Sequence, residues 1–456
     1  MNIYDSFVKK NEEYISDMSQ LTEKSDFIDN ALYEKYNVFR GLRDPQGNGV
    51  VCGLTEISEI NAFKKIDGVK KPIPGELFYR GINVQSLIDG FVSEQRYGFE
   101  EVVYLLLFGV QPSASELEKF NDVLVGLREL PKNFVRDIIM KAPPSDMMNM
   151  LQRSVLAKYS YDINPDDLSL SNILRQVLTL TAQMPTMAVH GYNAYQYSRE
   201  GESLYIHQPL KEYSTAQNIL HLLRHDNKFT ELEARILDLC LILHAEHGGG
   251  NNSTFTTHVI SSSGTDTYSA VSASLGSLKG GKHGGANIKV LRMFEDIQAN
   301  VKSNSDGEIN DYLNKILNRE AFDGAGVIYG MGHAVYSMSD PRCDILKNFV
   351  EKLAMEKGVE EDYVLYKQIE RLAPIAIAEK RKIYKGVPTN IDFYSGFVYK
   401  LLGIPPELYT PIFAISRMAG WGAHRLEEVS NNGKIIRPAY IAVAPRQDYV
   451  PISERK

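Results

Sequence analysis

The feature that most constrains the fold is a recurring signal for the start of an α-helix. The segments Ser113–Glu116 and Thr230–Glu233 both match the capping box, in which a Ser or Thr and the acid three residues later satisfy free backbone amides. Behind the second box, apolar residues recur at the spacing of one helix face, at Leu232, Ile236, Leu239 and Leu243. The chain is therefore expected to be rich in amphipathic helices.

Other turn residues mark further helix ends. Gly109 ends the apolar run GFEEVVYLLLFG, and Asp340 followed by Pro341 predicts a helix that continues to about Lys357. Asp392 is expected to cap the helix FYSGFVYKLL. Each of these signals predicts another helix.

Signals for β-strands are rare. The best one is LFYRGI, Leu77–Ile82, which is too little for a large sheet. Alternating strands and helices, the mark of a doubly wound sheet, are missing. The sequence predicts a mainly α, essentially all-α protein, with a polar N-terminal extension over residues 1–60.

Length and charge exclude several classes of protein. With 456 residues, the chain has room for two or three domains and large buried cores. Its formal net charge is −7 and no basic block occurs, so we expect no nucleic-acid partner. None of the three cysteines, Cys52, Cys240 and Cys343, forms a C-x-x-C pair, which favours a reduced compartment over a disulfide scaffold.

From the first residues of the sequence we expect no targeting signal. MNIYDSFVKKNEEYISDMSQ lacks the apolar core of a signal peptide and contains early acidic residues, unlike a transit peptide. No run approaches the ~20 apolar residues of a membrane span. The expectation is a cytoplasmic protein without a membrane partner.

The stretch GSLKGGKHGGAN, residues 276–287, nearly matches a phosphate-binding loop. Gly276, Gly281 and Lys282 fit G-x-x-x-x-G-K, but His283 replaces the hydroxyl residue that would hold Mg²⁺. No Val- or Ile-rich strand precedes the stretch. A tight turn between helices would explain the glycines, but it would not explain Lys282 or His283.

A second glycine-rich stretch, HAEHGGGN, contains His244 and His247. His247 can interact with the dipole at a helix C-terminus. A metal site would need a third ligand, and neither H-E-x-x-H nor a cysteine cluster supplies one. We therefore expect no bound metal.

Four more segments carry candidate residues. His333 lies in GMGHAVYSMSDPR, where Arg342 stands at a helix start and would benefit from a bound anion. Asp392 lies in NIDFYSG, and Arg417 stands among apolar residues, where it needs a carboxylate from the protein or a ligand. Arg437 lies in a loop, KIIRPAY. Histidines, arginines and one acid together suggest acid–base chemistry on a substrate with carboxylates.

In this order, the motifs resemble the citrate synthase family. The similar segments are HAEHGGGN, GSLKGGKHGGAN, GMGHAVYSMSDPR, NIDFYSG, FAISRMAGWGAH and KIIRP. The resemblance extends over roughly residues 78–437. It implies a nearly all-α fold with a large helical domain (61–284 and 404–456), a small one (285–403), an active site in the cleft and an intertwined homodimer.

The resemblance also implies roles for individual residues. The family condenses acetyl-CoA with oxaloacetate and hydrolyses citryl-CoA, as the entry step of the tricarboxylic acid cycle. His283 resembles the donor to the thioester oxygen, Asp392 the base, and His333 the donor to the oxaloacetate ketone. The oxaloacetate-binding residues would be His247, Arg342, Arg417 and Arg437, the last contributed across the dimer interface.

No tightly bound cofactor is implied, since acetyl-CoA is a co-substrate. Ser337 stands where relatives often carry a basic residue for the CoA phosphates, so Lys282 or Lys385 is expected in that role, with Gly330 and Gly332 beside the CoA. The sequence leaves 2-methylcitrate synthase open, because propionyl-CoA differs by one methylene, worth only ~1–3 kcal/mol. A non-catalytic helical binding protein and a phosphate-loop nucleotidase are the rivals from other classes.

Overall fold

The computed structural model describes residues 11–44, 47–67, 69–303, 305–381 and 386–455. The chain divides into two compact units, 1–54 and 55–456. The first unit contains helices α1 (Glu12–Ser25) and α2 (Asn30–Lys35), neither of which buries a side chain. Lys385, a predicted CoA-binding residue, lies outside the described residues. The predicted boundaries of a large and a small helical domain stay a prediction.

The second unit begins with a small antiparallel sheet. Its strands are β1 (Ser58–Ile66), β2 (Val69–Tyr79) and β3 (Ile82–Asn83), in the order β1-β2-β3. The segment Leu77–Ile82, predicted as a single strand, instead contains a turn between β2 and β3. Arg80 and Gly81 both have positive φ there, as a tight hairpin turn requires.

The regular secondary structure in the rest of this unit is almost entirely helical, which confirms the mainly α prediction. The first seven are α3 (Val84–Ser93), α4 (Phe99–Phe108), α5 (Ala114–Leu127), α6 (Met147–Ala157), α7 (Leu170–Tyr195), α8 (Thr215–Leu223) and α9 (Glu231–His244). The next eight are α10 (Asn252–Ser262), α11 (Thr267–Lys279), α12 (Ala286–Asn300), α13 (Asp306–Leu317), α14 (Pro341–Lys357), α15 (Glu360–Arg381), α16 (Ile391–Leu401) and α17 (Tyr409–Ser430). Short 3₁₀ or π segments lie at Arg40–Leu42, Val135–Ile139, Lys158–Tyr161, Gln196–Glu200, Pro406–Leu408 and Ile452–Glu454.

The capping signals of the sequence have the predicted local structure. Both the box that starts α5 at Ser113 and the box that starts α9 at Thr230 are complete. Asp340 caps α14, and Gly109 ends α4 in the left-handed conformation. These ends are fixed by contacts within a few residues, so local sequence is enough to predict them.

Two long helices form the centre of the core. Every residue of α17 from Tyr409 to Arg425 is buried, and α7 is buried continuously from Gln176 to Gly191. A helix that is buried on all sides must satisfy its polar side chains internally. Arg417 and His424 on α17 are therefore the residues that most need explanation.

Candidate functional site

The near phosphate loop is a turn between two helices. It connects α11 to α12, so a helix precedes it where a phosphate loop requires a strand. Gly284 packs so closely against the Leu278 carbonyl and Thr410 that any side chain there would collide with them. The Thr410 hydroxyl donates to the Gly284 carbonyl at 3.0 Å. This packing holds the turn, and with it His283, against the start of α17.

His283 is partly buried, and its Nε2 lies 3.2 Å from Oγ of Ser253 at the start of α10. Burial, together with Arg417, lowers the pKa of His283 to about 4, so the ring is neutral at pH 7. Because α12 begins only at Ala286, burial rather than a helix N-terminus is the main cause of this lowered pKa. Lys282, next to it, is exposed.

Backbone contacts fasten the loop that carries His333 to the start of α16. Asn390 donates from its amide to the Gly330 carbonyl at 2.9 Å and from Nδ2 to the Gly332 carbonyl at 2.9 Å. The Gly332 amide donates to the Pro388 carbonyl at 2.7 Å. Gly330 has φ +80°, and a Cβ there would lie about 3.0 Å from Phe393 atoms, so only glycine fits. These contacts place His333 beside the segment that holds Asp392.

The sequence predicted Asp392 as the cap of α16, and this prediction is wrong. Asn390 is the cap, since its side chain accepts from the Asp392 amide at 3.0 Å. Asp392 is the second residue of the helix. Its carboxylate makes no hydrogen bond with the described part of the chain. Burial and the nearby Asp340 raise the pKa of Asp392 to about 6, against the opposing effect of Arg342 and Arg417.

His333 presents a defined nitrogen to the site. Its Nδ1 accepts from the amides of Val335 at 3.0 Å and Tyr336 at 3.2 Å, so the proton of the neutral ring is on Nε2. Nη2 of Arg342 lies 3.4 Å from that Nε2. Two N–H donors thus meet at one point, an arrangement that suits a carboxylate or ketone oxygen.

His247 lies edge-on to His333, with ring centroids 5.1 Å apart. Its Nε2 is buried and has no hydrogen-bond partner among the described residues. Burial, together with the charge of Arg342, holds the pKa of His247 well below its usual range. A buried nitrogen without a partner is costly, so a ligand is expected there.

Arg342 already has a carboxylate partner within the protein. Asp340 Oδ1 accepts from Nε at 3.0 Å and Oδ2 accepts from Nη2 at 2.7 Å. Burial alone would lower the pKa of Arg342, but the Asp340 carboxylate raises it. The bound anion expected from the sequence is therefore not needed to explain this charge at a helix start.

Arg417 has the opposite arrangement. Its Nε donates to the His244 carbonyl at 2.7 Å, and its guanidinium lies over the Phe413 ring at 4.7 Å. Nη1 and Nη2 are both buried and have no hydrogen-bond partner among the described residues. Burial lowers the pKa of Arg417 to about 10, while Glu246 opposes this. Two unsatisfied donors on one planar group fit a bidentate carboxylate.

Sequence reasoning overlooked a buried ion pair beneath these residues. Glu246, next to His247, lies 3.2 Å from Nε2 of His424, and both side chains are fully buried. Burial alone would lower the pKa of His424, but Glu246 raises it to about 9; His424 in turn lowers that of Glu246 to about 2, against burial. The signal that could have found the pair is the acid in HAEH together with a histidine on an apolar helix.

Arg437 is the one predicted oxaloacetate residue that the chain does not bring to this site. It is exposed in the irregular segment after α17 and makes no hydrogen bond or ion pair with the described residues.

His244, whose Nδ1 lies 2.8 Å from the Cys240 carbonyl, has a structural contact within α9. No helix among the described residues is long and apolar enough to cross a membrane.

The site and the fold together are typical of a helical enzyme that acts on an anionic substrate by acid–base chemistry. Guanidinium and imidazole donors converge on one buried region, and a carboxylate with a raised pKa lies beside them. Such pKa values are typical of catalytic groups.

Comparison with known proteins agrees with this class. The family model for the citrate synthase C-terminal domain matches residues 46–439. The chain belongs to the citrate synthase family, whose members are enzymes of the acyltransferase type.

Two relatives and one solved structure show what this chain is similar to. A citrate synthase from Synechocystis sp. is 36% identical over 84% of this chain and 88% of its own length. A 2-methylcitrate synthase from Shewanella oneidensis is 34% identical over 83% and 92%, respectively. The solved ternary complex of the Thermoplasma acidophilum citrate synthase with carboxymethyl coenzyme A and oxaloacetate has a TM-score of 0.73, at 27% identity, and covers 91% of this chain and 99% of its own.

Proposed function

We propose that this enzyme condenses acetyl-CoA with oxaloacetate and hydrolyses the resulting citryl-CoA to citrate and CoA, the entry step of the tricarboxylic acid cycle. The observation that carries the proposal is the pair of buried, unpartnered guanidinium nitrogens of Arg417. They need an anion, and an α-keto dicarboxylate supplies one. Relatives named citrate synthase, 32–36% identical over most of the chain, support the same reaction.

Oxaloacetate would be held by its two carboxylates and its ketone. Arg417 binds one carboxylate through Nη1 and Nη2, because these are the donors left over by the protein. Arg342 and His333 converge on a second oxygen, where their donors already lie 3.4 Å apart. His247 Nε2 completes the set.

Asp392 and His283 would then activate the thioester. Asp392 removes a proton from the acetyl methyl group while the neutral His283 donates a hydrogen bond to the thioester oxygen, where negative charge develops. The enol carbon attacks the oxaloacetate ketone, and the ketone oxygen receives a proton from His333. Water then cleaves the citryl thioester, giving the new carboxyl group of citrate and the free thiol of CoA.

We also propose how the enzyme contacts CoA, how it assembles and where it is located. We expect no tightly bound cofactor, with acetyl-CoA as a co-substrate contacted near Gly330, Gly332, Lys282 and Lys385. The active form would be a homodimer in which Arg437 reaches the partner's oxaloacetate. A cytoplasmic location fits the free cysteines.

The second candidate is 2-methylcitrate synthase, with propionyl-CoA as the acyl donor. Relatives with that name match this chain nearly as well, at 34% and 31% identity. The chemistry at Asp392 and His283 would be the same, since only one methylene is added to the donor. The two candidates therefore differ in a ratio of rates rather than in mechanism.

One assay tests both candidates. The untagged protein is mixed with oxaloacetate and either acetyl-CoA or propionyl-CoA, and the release of free CoA thiol is followed. We expect thiol release with acetyl-CoA, dependent on oxaloacetate, and a larger kcat/KM for acetyl-CoA than for propionyl-CoA. No thiol release with either thioester would contradict the proposal, and a larger kcat/KM for propionyl-CoA would favour the second candidate.

A further inference from the structure

A second cluster of histidine and carboxylate side chains lies between α10 and α17. His258 projects from α10, while His424 and Glu427 project from α17 one helical turn apart. Each of the three side chains offers one ligand atom, and these atoms all lie within 4.8 Å of one another. None of the steps of the proposed reaction uses these atoms.

The spacing of these atoms fits a small divalent cation. Zinc–nitrogen and zinc–oxygen bonds of ~2.0–2.2 Å at a tetrahedral angle place neighbouring ligand atoms ~3.3–3.5 Å apart. His258 Nε2 is 3.1 Å from His424 Nδ1, and His424 Nδ1 is 3.7 Å from Glu427 Oε2. These two separations lie on either side of the required one. The third, between the ligand atoms of His258 and Glu427, is at most 4.8 Å, so moving these two side chains toward each other would complete the geometry.

In each imidazole, the ring nitrogen that does not point into the cluster lies next to a carboxylate. Nδ1 of His258 lies 2.8 Å from Oε2 of Glu428, and Nε2 of His424 lies 3.2 Å from Oε1 of Glu246. Metal-binding histidines usually have this arrangement, because the carboxylate fixes the tautomer and makes the other nitrogen a better ligand. Both rings are thus held with their remaining nitrogens toward the same point.

One carboxylate oxygen of Glu427 accepts a hydrogen bond from the protein and the other does not. Oε1 accepts from the Glu56 amide at 2.7 Å. Oε2 is buried and accepts no hydrogen bond from the described residues, and its nearest cationic neighbour is Nδ1 of His424 at 3.7 Å. A buried carboxylate oxygen without a donor needs a cation or a proton nearby.

We propose that His258, His424 and Glu427 bind a divalent transition-metal ion, with water in the remaining position. Two imidazoles and a carboxylate favour Zn²⁺ or a similar ion over Mg²⁺ or Ca²⁺, which prefer oxygen ligands alone. The ion would connect α10 to α17. It would also steady Glu246, which directly precedes His247.

A proton is the competitor for this position. An imidazolium at His424 could donate to both Glu246 and His258, and Glu427 and Glu428 would complete a chain of hydrogen bonds without a metal. Metal binding must therefore release a proton, so affinity for Zn²⁺ is expected to rise between pH 6 and pH 8.

Calorimetric titration of Zn²⁺ into the untagged, chelator-stripped full-length protein tests the proposal. We expect one ion per chain, tighter binding at pH 8 than at pH 6, and buffer-dependent heats from the released proton. His258→Gln and Glu427→Gln should each weaken binding by at least ~10-fold. His225→Gln, which removes an exposed histidine outside the cluster, is the matched control and should change nothing.

Co²⁺ gives an independent readout that does not require a folded variant. In the wild-type protein, one equivalent should give the visible absorption of a tetrahedral or five-coordinate ion, and Zn²⁺ should abolish it. Absence of one-to-one binding, or binding unchanged by both His258→Gln and Glu427→Gln, would overturn the proposal in favour of the hydrogen-bonded chain. These measurements use no substrate, so their outcome is separate from that of the condensation assay.

Discussion

At the scale of single residues, the candidate site is defined by polar atoms that the protein leaves without partners. Arg342 is paired with Asp340 through Nε and Nη2, whereas Arg417 has two buried nitrogens with no partner in the described chain. Asp392 likewise has a carboxylate that burial makes less acidic. Buried groups of this kind cost stability, and they persist where a ligand or a reaction uses them.

The first prediction concerns the pH dependence of the rate. Asp392 must be ionised to accept the methyl proton, and its pKa is raised to about 6. At saturating acetyl-CoA and varied oxaloacetate, kcat/KM should therefore fall as pH drops through about 6. Stopped thiol assays between pH 5 and pH 9 would show this acid limb. A profile that stays flat down to pH 5 would contradict the role of Asp392 as the base.

The second prediction concerns the stability cost of the same carboxylate. A folded-state pKa of about 6, above the ordinary 3.8, means that its favourable contribution exists below pH 4 and is lost as pH rises through 6. Asp392→Asn should therefore be more stable than wild type at pH 8, with the difference shrinking toward pH 5. Urea unfolding at both pH values measures this.

The same variant separates stability from catalysis. Asp392→Asn should lose exchange of the acetyl methyl protons while binding oxaloacetate nearly as well as wild type. Asp122→Asn, which changes an exposed acid, is the control and should alter neither property. Loss of oxaloacetate binding in Asp392→Asn would show that this residue binds substrate and is not the base.

At the scale of secondary-structure elements, the start of α16 organises the catalytic groups. Asn390 caps the helix through Oδ1 and reaches the Gly332 carbonyl through Nδ2. One side chain thus connects the backbone of the His333 loop to the helix that carries Asp392. The sequence predicts the cap at Asp392, two residues too late, because Asn and Asp are both good caps and NIDFYSG contains one of each.

The third prediction tests that connection. Asn390→Ala removes a helix cap, which costs about 1 kcal/mol of stability, and also frees the His333 loop. We expect a fall in kcat much larger than the loss of stability implies, measured at a temperature where the variant stays folded. Ser305→Ala removes the cap of α13 and should cost similar stability with kcat unchanged. Equal effects of the two variants on kcat would show that Asn390 is only a cap.

At the scale of the whole molecule, the C-terminal segment differs from the buried helices that precede it. Beyond α17 it is irregular and exposes large apolar side chains, with Tyr440 93% and Tyr449 81% accessible. Arg437 lies in this segment, away from the partners that its proposed role requires. Exposed apolar side chains are typical of interaction surfaces, so this segment is where we expect the proposed homodimer to form contacts.

The fourth prediction tests whether Arg437 acts across a dimer interface. Arg437→Ala and Asp392→Asn should each be nearly inactive alone. After unfolding and refolding together, roughly a quarter of wild-type activity should return, since half of the dimers are mixed and each mixed dimer has one intact site. No recovery, with mixed dimers verified by mass spectrometry, would show that Arg437 serves the site of its own chain.

Local sequence determined the helices and their ends, because capping boxes, the Asp340–Pro341 start and the Gly109 stop depend on residues a few positions apart. It also indicated the catalytic types of residue, since histidines, arginines and one acid stand in glycine-rich segments. Only the tertiary structure decided which of these are satisfied by the protein. It paired Arg342 with Asp340, left Arg417 open, lowered the pKa of His283 by burial, and joined Glu246 to His424 from segments 178 residues apart. Burial and charge neighbours depend on which helices pack together, and one sequence read along its length does not contain those distances.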